Sequence, residues 1–211
     1  MEKTAVIFGA AQITNYKTVQ KYLTPHDFYI FCDGGMKHQI KLSVKPDLII
    51  GDFDSFLQEK LPENTEILKL PCEKDDTDTF FAIKEACRRG FENFVLFGVI
   101  GNRFDHSLVN ISVLLYLKRL GKNAVIVDDY SEMQIIENQS AEVSFDYKYF
   151  SVLCVDGSIP DITIKNAKYP LENAKITTDY QFGISNEVIP GKTAQITVKN
   201  GTALLVKVFS E

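Results

Sequence analysis

The pattern of hydrophobic positions changes character once along the chain, near Asp128-Asp129. Before that point, short apolar runs that are typical of buried strands alternate with helix-like segments. The predicted strands are Thr4–Phe8, Phe28–Cys32, Asp47–Ile50, Glu66–Leu70, Asn93–Phe97 and Ala124–Val127. Alternation of strands and helices favours a mostly parallel sheet that is covered by helices on both faces.

Two of the segments between these strands have the spacing of amphipathic helices. Thr77–Arg89 and Ser107–Leu120 repeat apolar residues about every 3.6 positions, which is the period of an α-helix. Gly90 and Gly121 follow these segments directly, and glycine is the usual residue just beyond a helix. A shorter helix is predicted over Met36–Leu42.

After Asp128-Asp129 no convincing long helix is predicted, and short β-rich runs recur. These runs are Met133–Ile136, Val143–Phe145, Phe150–Val155, Ile162–Ile164, Lys175–Thr177, Ala194–Val198 and Ala203–Phe209. Asn200-Gly201, between the last two runs, predicts a type I′ hairpin. The chain is thus predicted to be α/β followed by all-β: a mostly parallel sheet domain over residues 1–128, then a small antiparallel β-sandwich over residues 129–211.

The charge of the chain argues against some classes of binding partner. The chain of 211 residues has a net charge of −5 and no block of basic residues, which argues against nucleic acid or an anionic membrane as the main partner. The short apolar run at the N-terminus is typical of a first strand and not of a signal peptide. The 4 cysteines have no Cys-x-x-Cys spacing, so we expect reduced thiols in a cytoplasmic protein.

An acidic pair follows the third predicted strand, in the segment "PDLIIGDFDS". Asp52 and Asp54 are two residues apart, so their side chains point the same way in an extended segment. Two adjacent carboxylates repel each other unless a cation lies between them, and Mg²⁺ binds through one or two carboxylates plus substrate phosphates. The alternative is a polar turn with two solvated aspartates.

Three further motifs follow predicted strands. Asp33-Gly34-Gly35 would let the backbone approach a phosphate or ribose closely, or it could be a tight turn with Asp33 as a helix cap. Gly9-Ala10-Ala11 is a similar, weaker candidate. In "EKDDTDTFF", Asp75, Asp76 and Asp78 either complement a helix dipole or include a metal ligand, and Lys74 could bind phosphate.

The segment "GVIGNRFDHSLVNI" follows the fifth predicted strand. Arg103 could grip a phosphate, while Asp105 could accept a proton, position Arg103 or cap the helix. His106 is more simply a structural histidine. These motifs together favour Mg²⁺-dependent phosphoryl chemistry. Neither a P-loop nor the Gly-x-Gly-x-x-Gly fingerprint occurs in the sequence.

In order and spacing, the motifs "CDGG", "PDLIIGDFDS", "KDDTDT", "GNRFDHSLVN", "KYPL" and "GISNE" resemble the thiamine pyrophosphokinase (thiamine diphosphokinase) family. The resemblance covers nearly the whole chain. It implies transfer of a pyrophosphoryl group from ATP to the hydroxyl of thiamine, which gives thiamine diphosphate and AMP. It also implies an α/β domain followed by a β-sandwich, and a homodimer whose sites are built from both subunits.

The resemblance also implies roles for individual residues. Mg²⁺ would be held by Asp52, Asp54 and Asp78. The residues near the nucleotide and phosphates would be Asp33, Gly34, Lys74, Asp75, Thr77, Arg103 and Asp105. Of these two sets, the catalytic candidates are Asp54, Asp78, Arg103 and Asp105, and thiamine would bind at Ser185 and Asn186.

Two departures from the family pattern concern the thiamine site. Asn166 and Ala167 precede "KYPL" where family members often have glycine and an apolar residue, and the chain has 0 tryptophans to stack on thiamine. Two other functions stay open from the sequence: transfer to a different hydroxymethyl heterocycle such as a pterin, and a non-catalytic nucleotide sensor.

Overall fold

The computed structural model describes residues 3–53, 65–71, 73 and 75–209. The chain divides into two compact units, Met1–Asp129 and Tyr130–Glu211. Asp54 and Lys74, both candidate site residues, lie outside the described residues, as does Cys72. Within the part of the chain that is described, no helix combines the length and the apolar character that a membrane span requires.

The first unit is built on a parallel sheet. Its strands are β1 (Thr4–Phe8), β2 (Phe28–Cys32), β3 (Leu48–Gly51), β4 (Glu66–Lys69), β5 (Asn93–Phe97) and β6 (Asn123–Val127), in the order β4-β3-β2-β1-β5-β6. Each neighbouring pair is parallel, so the carboxyl ends of all these strands lie along one edge of the sheet. All of the strands predicted for this part of the chain are confirmed.

Central strand β1 is buried on both faces. Ala5, Val6, Ile7 and Phe8 are fully inaccessible to solvent. The Phe8 ring stacks between Phe31 and Phe97, with ring centroids 4.5 Å and 5.4 Å away. Burial on both faces is why these strands appear in the sequence as continuous apolar runs and not as alternating ones.

The helices of this unit are α1 (Tyr16–Gln20), α2 (Gln39–Leu42), α3 (Asp78–Arg88) and α4 (Phe104–Arg119), with a 3₁₀ helix over Asp33–His38. Helix α3 begins where the Thr77 hydroxyl accepts a hydrogen bond from the Phe80 N–H at 3.2 Å, and Gly90 follows its end with φ of 85°. Helix α4 begins three residues before the predicted start at Ser107, because the Ser107 N–H already donates to the Arg103 carbonyl at 3.0 Å and closes the first helical turn.

The second unit is antiparallel and has two sheets. One contains β7 (Ser131–Glu137), β13 (Thr202–Val208) and β9 (Tyr149–Cys154), in that order. The other has the order β11 (Leu171–Thr177), β10 (Ser158–Lys165), β12 (Thr193–Lys199) and β8 (Ser140–Ser144). Both sheets contribute to one apolar core, for example Phe150 and Val152 from the first and Ile162 and Ile196 from the second. The predicted fold class is confirmed.

The prediction of a β-hairpin at Asn200-Gly201 is wrong. Strands β12 and β13 flank this dipeptide but belong to different sheets: β12 pairs with β10 and β8, and β13 pairs with β7 and β9. The turn carries the chain from one sheet to the other. Glycine is needed at position 201 because a Cβ there would lie 2.9 Å from the Ile159 Cα.

Candidate active site

Three loops that follow β1, β2 and β5 pack closely against one another. They are Gly9–Ala11, Asp33–Gly35 and Gly98–Gly101, and we call them the β1, β2 and β5 loops. The Gly9 N–H donates to the Phe97 carbonyl and the Ala11 N–H donates to the Gly98 carbonyl, each at 2.8 Å. Since β1 lies between β2 and β5 in the sheet, the β1 loop is the central one of the three.

The glycines of these loops are required by close backbone packing. A Cβ on Gly35 would lie 2.2 Å from the Phe8 carbonyl oxygen, and one on Gly98 would lie 2.7 Å from the Gly9 carbonyl oxygen. Gly98 also has φ of 62°, a conformation that glycine adopts readily. A Cβ on Gly34 would meet the Ala10 Cβ at 2.8 Å. The loops thus form one tightly packed cluster of backbone at the edge of the sheet.

Asp33 and the acidic segment after β3 are brought together. Asp33 is only 7% exposed, and a Cβ on Gly51 would lie 2.5 Å from the Asp33 Cβ. Asp52 is the next residue along the chain and is half-buried. The structure therefore places two of the predicted acids, Asp33 and Asp52, at the carboxyl ends of neighbouring strands.

The segment that leads to Asp75, Asp76 and Asp78 leaves the sheet beside Gly51, the residue before Asp52. The Leu70 N–H donates to the Gly51 carbonyl at 2.8 Å, just after β4. Farther along, Asp75 is exposed and Asp78 is the first residue of α3. Asp76 forms an ion pair with Lys84, and Thr77 caps the helix, so these two residues have local structural roles.

The predicted metal site is only partly described. Among residues 3–53, 65–71, 73 and 75–209, no group of at least three His, Cys, Asp or Glu side chains is arranged to hold a metal ion. Asp54 belongs to the predicted trio and lies outside those residues, so the trio itself is not tested. The oxygen donors of Asp52 and Asp78 suit a hard ion such as Mg²⁺.

Arg103 and Asp105 form a two-point ion pair just before and within the first turn of α4. Arg103 Nε lies 3.0 Å from Asp105 Oδ1, and Arg103 Nη2 lies 2.6 Å from Oδ2. The guanidinium holds the pKa of the Asp105 carboxyl well below its usual range. Asp105 therefore stays ionised at neutral pH and is a weak base. Its arrangement fits the role of positioning Arg103, whose side chain is mostly exposed.

In the second unit, the Asn186 side chain forms hydrogen bonds with backbone groups. Asn186 is 3% exposed. Its Oδ1 accepts from the N–H groups of Tyr169 and Glu187, each at 3.0 Å, and its Nδ2 donates to the Tyr169 carbonyl at 2.7 Å. Ser185 beside it is exposed, and its N–H donates to the Ser151 hydroxyl at 3.0 Å. Asn186 thus fixes the "GISNE" segment against Tyr169 of "KYPL", while the neighbouring Ser185 is exposed to solvent.

We expect Asn186→Ala to lower the free energy of unfolding by about 2 kcal/mol, because it removes a buried side chain and leaves three partly buried backbone groups without these partners. Ser185→Ala is the matched control and should change that free energy by less than about 0.5 kcal/mol, since its side chain is exposed. Urea denaturation followed by circular dichroism measures both. Equal stability of the two variants would show that the Asn186 contacts do not support the fold.

Two family models match the chain, one for each unit. The model described as "Thiamin pyrophosphokinase, catalytic domain" matches residues 19–126, which is more than half of the chain. The model described as "Thiamin pyrophosphokinase, vitamin B1 binding domain" matches residues 133–203. This chain belongs to the thiamin pyrophosphokinase family. The family membership that the motifs predicted is confirmed.

Individual members of the family agree with this assignment. A thiamine pyrophosphokinase of Bacillus subtilis is 28% identical over 80% of this chain and 81% of its own. Thiamin pyrophosphokinase 1 of Caenorhabditis elegans is 25% identical over 79% of this chain and 71% of its own. A solved thiamine pyrophosphokinase structure from Bacillus subtilis has the same fold, with a TM-score of 0.87, 24% identity and coverage of 98% and 99% of the two chains.

The candidate residues divide between the two parts of the thiamin pyrophosphokinase family architecture. Asp33, Gly34, Asp52, Asp54, Lys74, Asp75, Thr77, Asp78, Arg103 and Asp105 fall in the stretch that the catalytic-domain model matches. Ser185 and Asn186 fall in the stretch that the vitamin B1 binding model matches.

The structure also shows residues at this edge of the sheet that the sequence did not suggest. The Asp129 carboxylate accepts hydrogen bonds from the N–H groups of Thr14 and Asn15, with distances from 2.9 to 3.0 Å. His38 and Tyr16 are hydrogen-bonded to each other beside the β1 loop. Asp129 follows a strand, as the other candidate acids do, and that position is the one signal in the sequence that could have identified it.

Proposed function

We propose that this protein catalyses Mg²⁺-dependent transfer of a pyrophosphoryl group from ATP to the hydroxyl of thiamine. The thiamine oxygen forms a bond to the β-phosphorus, the bond from that phosphorus to the oxygen bridging to the α-phosphorus breaks, and the hydroxyl proton is released. The products are thiamine diphosphate and AMP. The observation that carries this proposal is the match of a catalytic model and a vitamin B1 binding model, in order, along one chain.

The acids at the edge of the parallel sheet support a role for Mg²⁺. We propose that Asp52, Asp54 and Asp78 hold the ion, which when bound would neutralise charge on the phosphates. Asp33 is buried against Gly51 and can orient the segment that begins with Asp52. Arg103, held by Asp105, has a fork of donors suited to phosphate oxygens.

The other residues named for the nucleotide have simpler roles. Gly34 lets the β2 loop pack against Ala10, while Thr77 sets the start of α3 and thereby the position of Asp78. Lys74 and Asp75 are proposed to contact the phosphates or the nucleotide. Ser185 is proposed to contact thiamine directly, and Asn186 to hold the turn beside it.

Product analysis tests the reaction. The protein is incubated with ATP, Mg²⁺ and thiamine, and the products are separated and quantified. We expect AMP and thiamine diphosphate in equal amounts. ADP with thiamine monophosphate would contradict pyrophosphoryl transfer while leaving a kinase. No turnover of thiamine, with turnover of a hydroxymethyl pterin, would favour the other heterocycle, and nucleotide binding without turnover would favour a sensor.

We also propose that the protein is cytoplasmic and acts as a homodimer in which the second unit of one subunit completes the site of the other. Asp52→Asn and Ser185→Arg, each inactive alone, are refolded together at equal amounts. Random exchange makes half of the dimers mixed, each with one intact site, so about a quarter of wild-type activity should return. No recovery, with exchange of subunits demonstrated by mass, would contradict shared sites.

A further inference from the structure

His38 is a buried histidine with both ring nitrogens in hydrogen bonds. It ends the 3₁₀ helix Asp33–His38 and is 1% exposed. Its Nε2 lies 2.9 Å from the Ala11 carbonyl oxygen, and its Nδ1 lies 2.7 Å from the Tyr16 hydroxyl. A carbonyl can only accept, so Nε2 carries the hydrogen and Nδ1 accepts from Tyr16 in the neutral ring. Burial lowers the pKa of His38, which favours this neutral form.

The carbonyl that His38 holds belongs to the β1 loop, the central loop of the candidate site. The N–H of the same residue, Ala11, donates to the Gly98 carbonyl at 2.8 Å, and a Cβ on Gly101 would lie 2.8 Å from the Ala11 Cβ. Lys37 donates to the adjacent Ala10 carbonyl. The β1 loop is thus tied to the β2 side by His38 and Lys37 and to the β5 loop by its own backbone.

Tyr16 links this arrangement to the start of α1. The residues just before it, Thr14 and Asn15, are held by the Asp129 carboxylate after β6. The Tyr16 hydroxyl then donates to His38, so the chain that leaves the β1 loop is fixed at its far end as well. His38 contacts both ends of this stretch, since it bonds to Ala11 at one end and Tyr16 at the other.

We propose that His38, supported by Tyr16, is a positioning residue for nucleotide binding, because its Nε2–H holds the Ala11 carbonyl and so fixes the β1 loop between the β2 and β5 loops. The inference rests on the proposed function, in which this edge of the sheet binds ATP. All of the residues involved belong to the unit Met1–Asp129, whereas the proposed thiamine contacts, Ser185 and Asn186, belong to the unit Tyr130–Glu211. We therefore expect the effect on the binding of ATP and not of thiamine.

Three substitutions at one position separate hydrogen bonding from packing. The side-chain amide nitrogen of Gln can take the place of Nε2 and donate to Ala11, whereas Asn ends near the position of Nδ1 and does not reach that carbonyl. Leu fills the space without any donor. We expect His38→Asn and His38→Leu to raise the KM for ATP about tenfold, with kcat within about threefold of wild type. His38→Gln should stay within about 1.5-fold of wild type in both constants.

The controls address stability and position. The KM for thiamine should be unchanged in every variant, and His26→Gln, at an exposed histidine, should match wild type in all constants. Tyr16→Phe keeps the packing but removes the donor to Nδ1, and we expect it to raise the KM for ATP about threefold. Should the His38 variants fail to fold, Tyr16→Phe decides the question by itself.

Calorimetric titration of each protein with Mg²⁺–ATP gives a measurement independent of turnover, and the dissociation constant should rise in the same order as the KM. A folded His38→Asn variant with wild-type affinity for ATP would overturn the inference. Equal losses in His38→Gln, His38→Asn and His38→Leu would also overturn it, because they would indicate packing alone. Failure of the wild-type protein itself to bind ATP would instead contradict the proposed function.

Discussion

Replacing Asp52 by asparagine is expected to lower kcat by about a thousandfold, with the fold intact. Asn has the shape of Asp but lacks the charge that a hard divalent ion requires from its ligand. In phosphoryl transfer, catalysis comes mostly from positioning and charge neutralisation, so loss of one anionic ligand removes much of it. Asp52 is half-buried at the end of β3, and its neighbour Gly51 packs against Asp33.

Asp76→Asn is the matched control for that experiment. Asp76 is an acid of the same region, but its carboxylate pairs with Lys84 along α3. An ion pair with exposed partners contributes little to stability, so kcat should stay within about threefold of wild type. Both variants are assayed at saturating Mg²⁺ for formation of AMP, and circular dichroism checks the fold. A nearly normal kcat for Asp52→Asn would indicate a solvated turn and not a metal ligand.

The strands of both units could be predicted because burial leaves a direct pattern in the sequence. Strand β1 is buried on both faces, and its run Ala5–Phe8 is continuously apolar. Helix α3 could be predicted because Thr77 and Gly90 are typical residues at helix ends. Helix α1, with only 5 residues, has too few turns to show a period.

Errors in the prediction come from contacts between residues distant in the chain. Asn200-Gly201 has the local composition of a hairpin, but the strands around it pair with partners elsewhere in the second unit. The side chain of Asn186 is bonded to the backbone of Tyr169 and Glu187, a contact that its motif did not indicate. Local sequence patterns do not specify either arrangement, because both depend on which segments the fold brings together.

The sequence predicted which kinds of residue lie at the site, but it did not predict the contacts between them. The carboxyl ends of parallel strands meet at one edge, so acids and glycines after several strands were expected to be neighbours. The packing of the Asp33 side chain against Gly51 follows that rule. The bond from His38 to Ala11 could not be predicted, since a single histidine beside a lysine in a short helix has no recognisable motif.

The packing of the β1 and β2 loops makes Gly35→Ala the substitution with the largest expected effect on stability. The added Cβ would lie 2.2 Å from the Phe8 carbonyl oxygen and 2.9 Å from the Phe8 carbonyl carbon. Both are backbone atoms of a central strand, so the collision cannot be relieved by a side-chain rotation. We expect the free energy of unfolding to fall by about 3 kcal/mol or more. Affinity for ATP should fall as well, because the β2 loop must move away from β1.

Gly191→Ala is the control, because the added Cβ there strains the backbone conformation without colliding with a neighbouring atom. Gly191 has φ of 73°, but a Cβ there would meet no atom within 4 Å. Its substitution should cost only the left-handed backbone penalty, about 1 kcal/mol, and leave ATP affinity unchanged. Urea denaturation followed by circular dichroism and calorimetric titration with Mg²⁺–ATP measure the two effects. Equal free energies of unfolding for Gly35→Ala and Gly191→Ala would contradict the close packing of Gly35 against the backbone of Phe8.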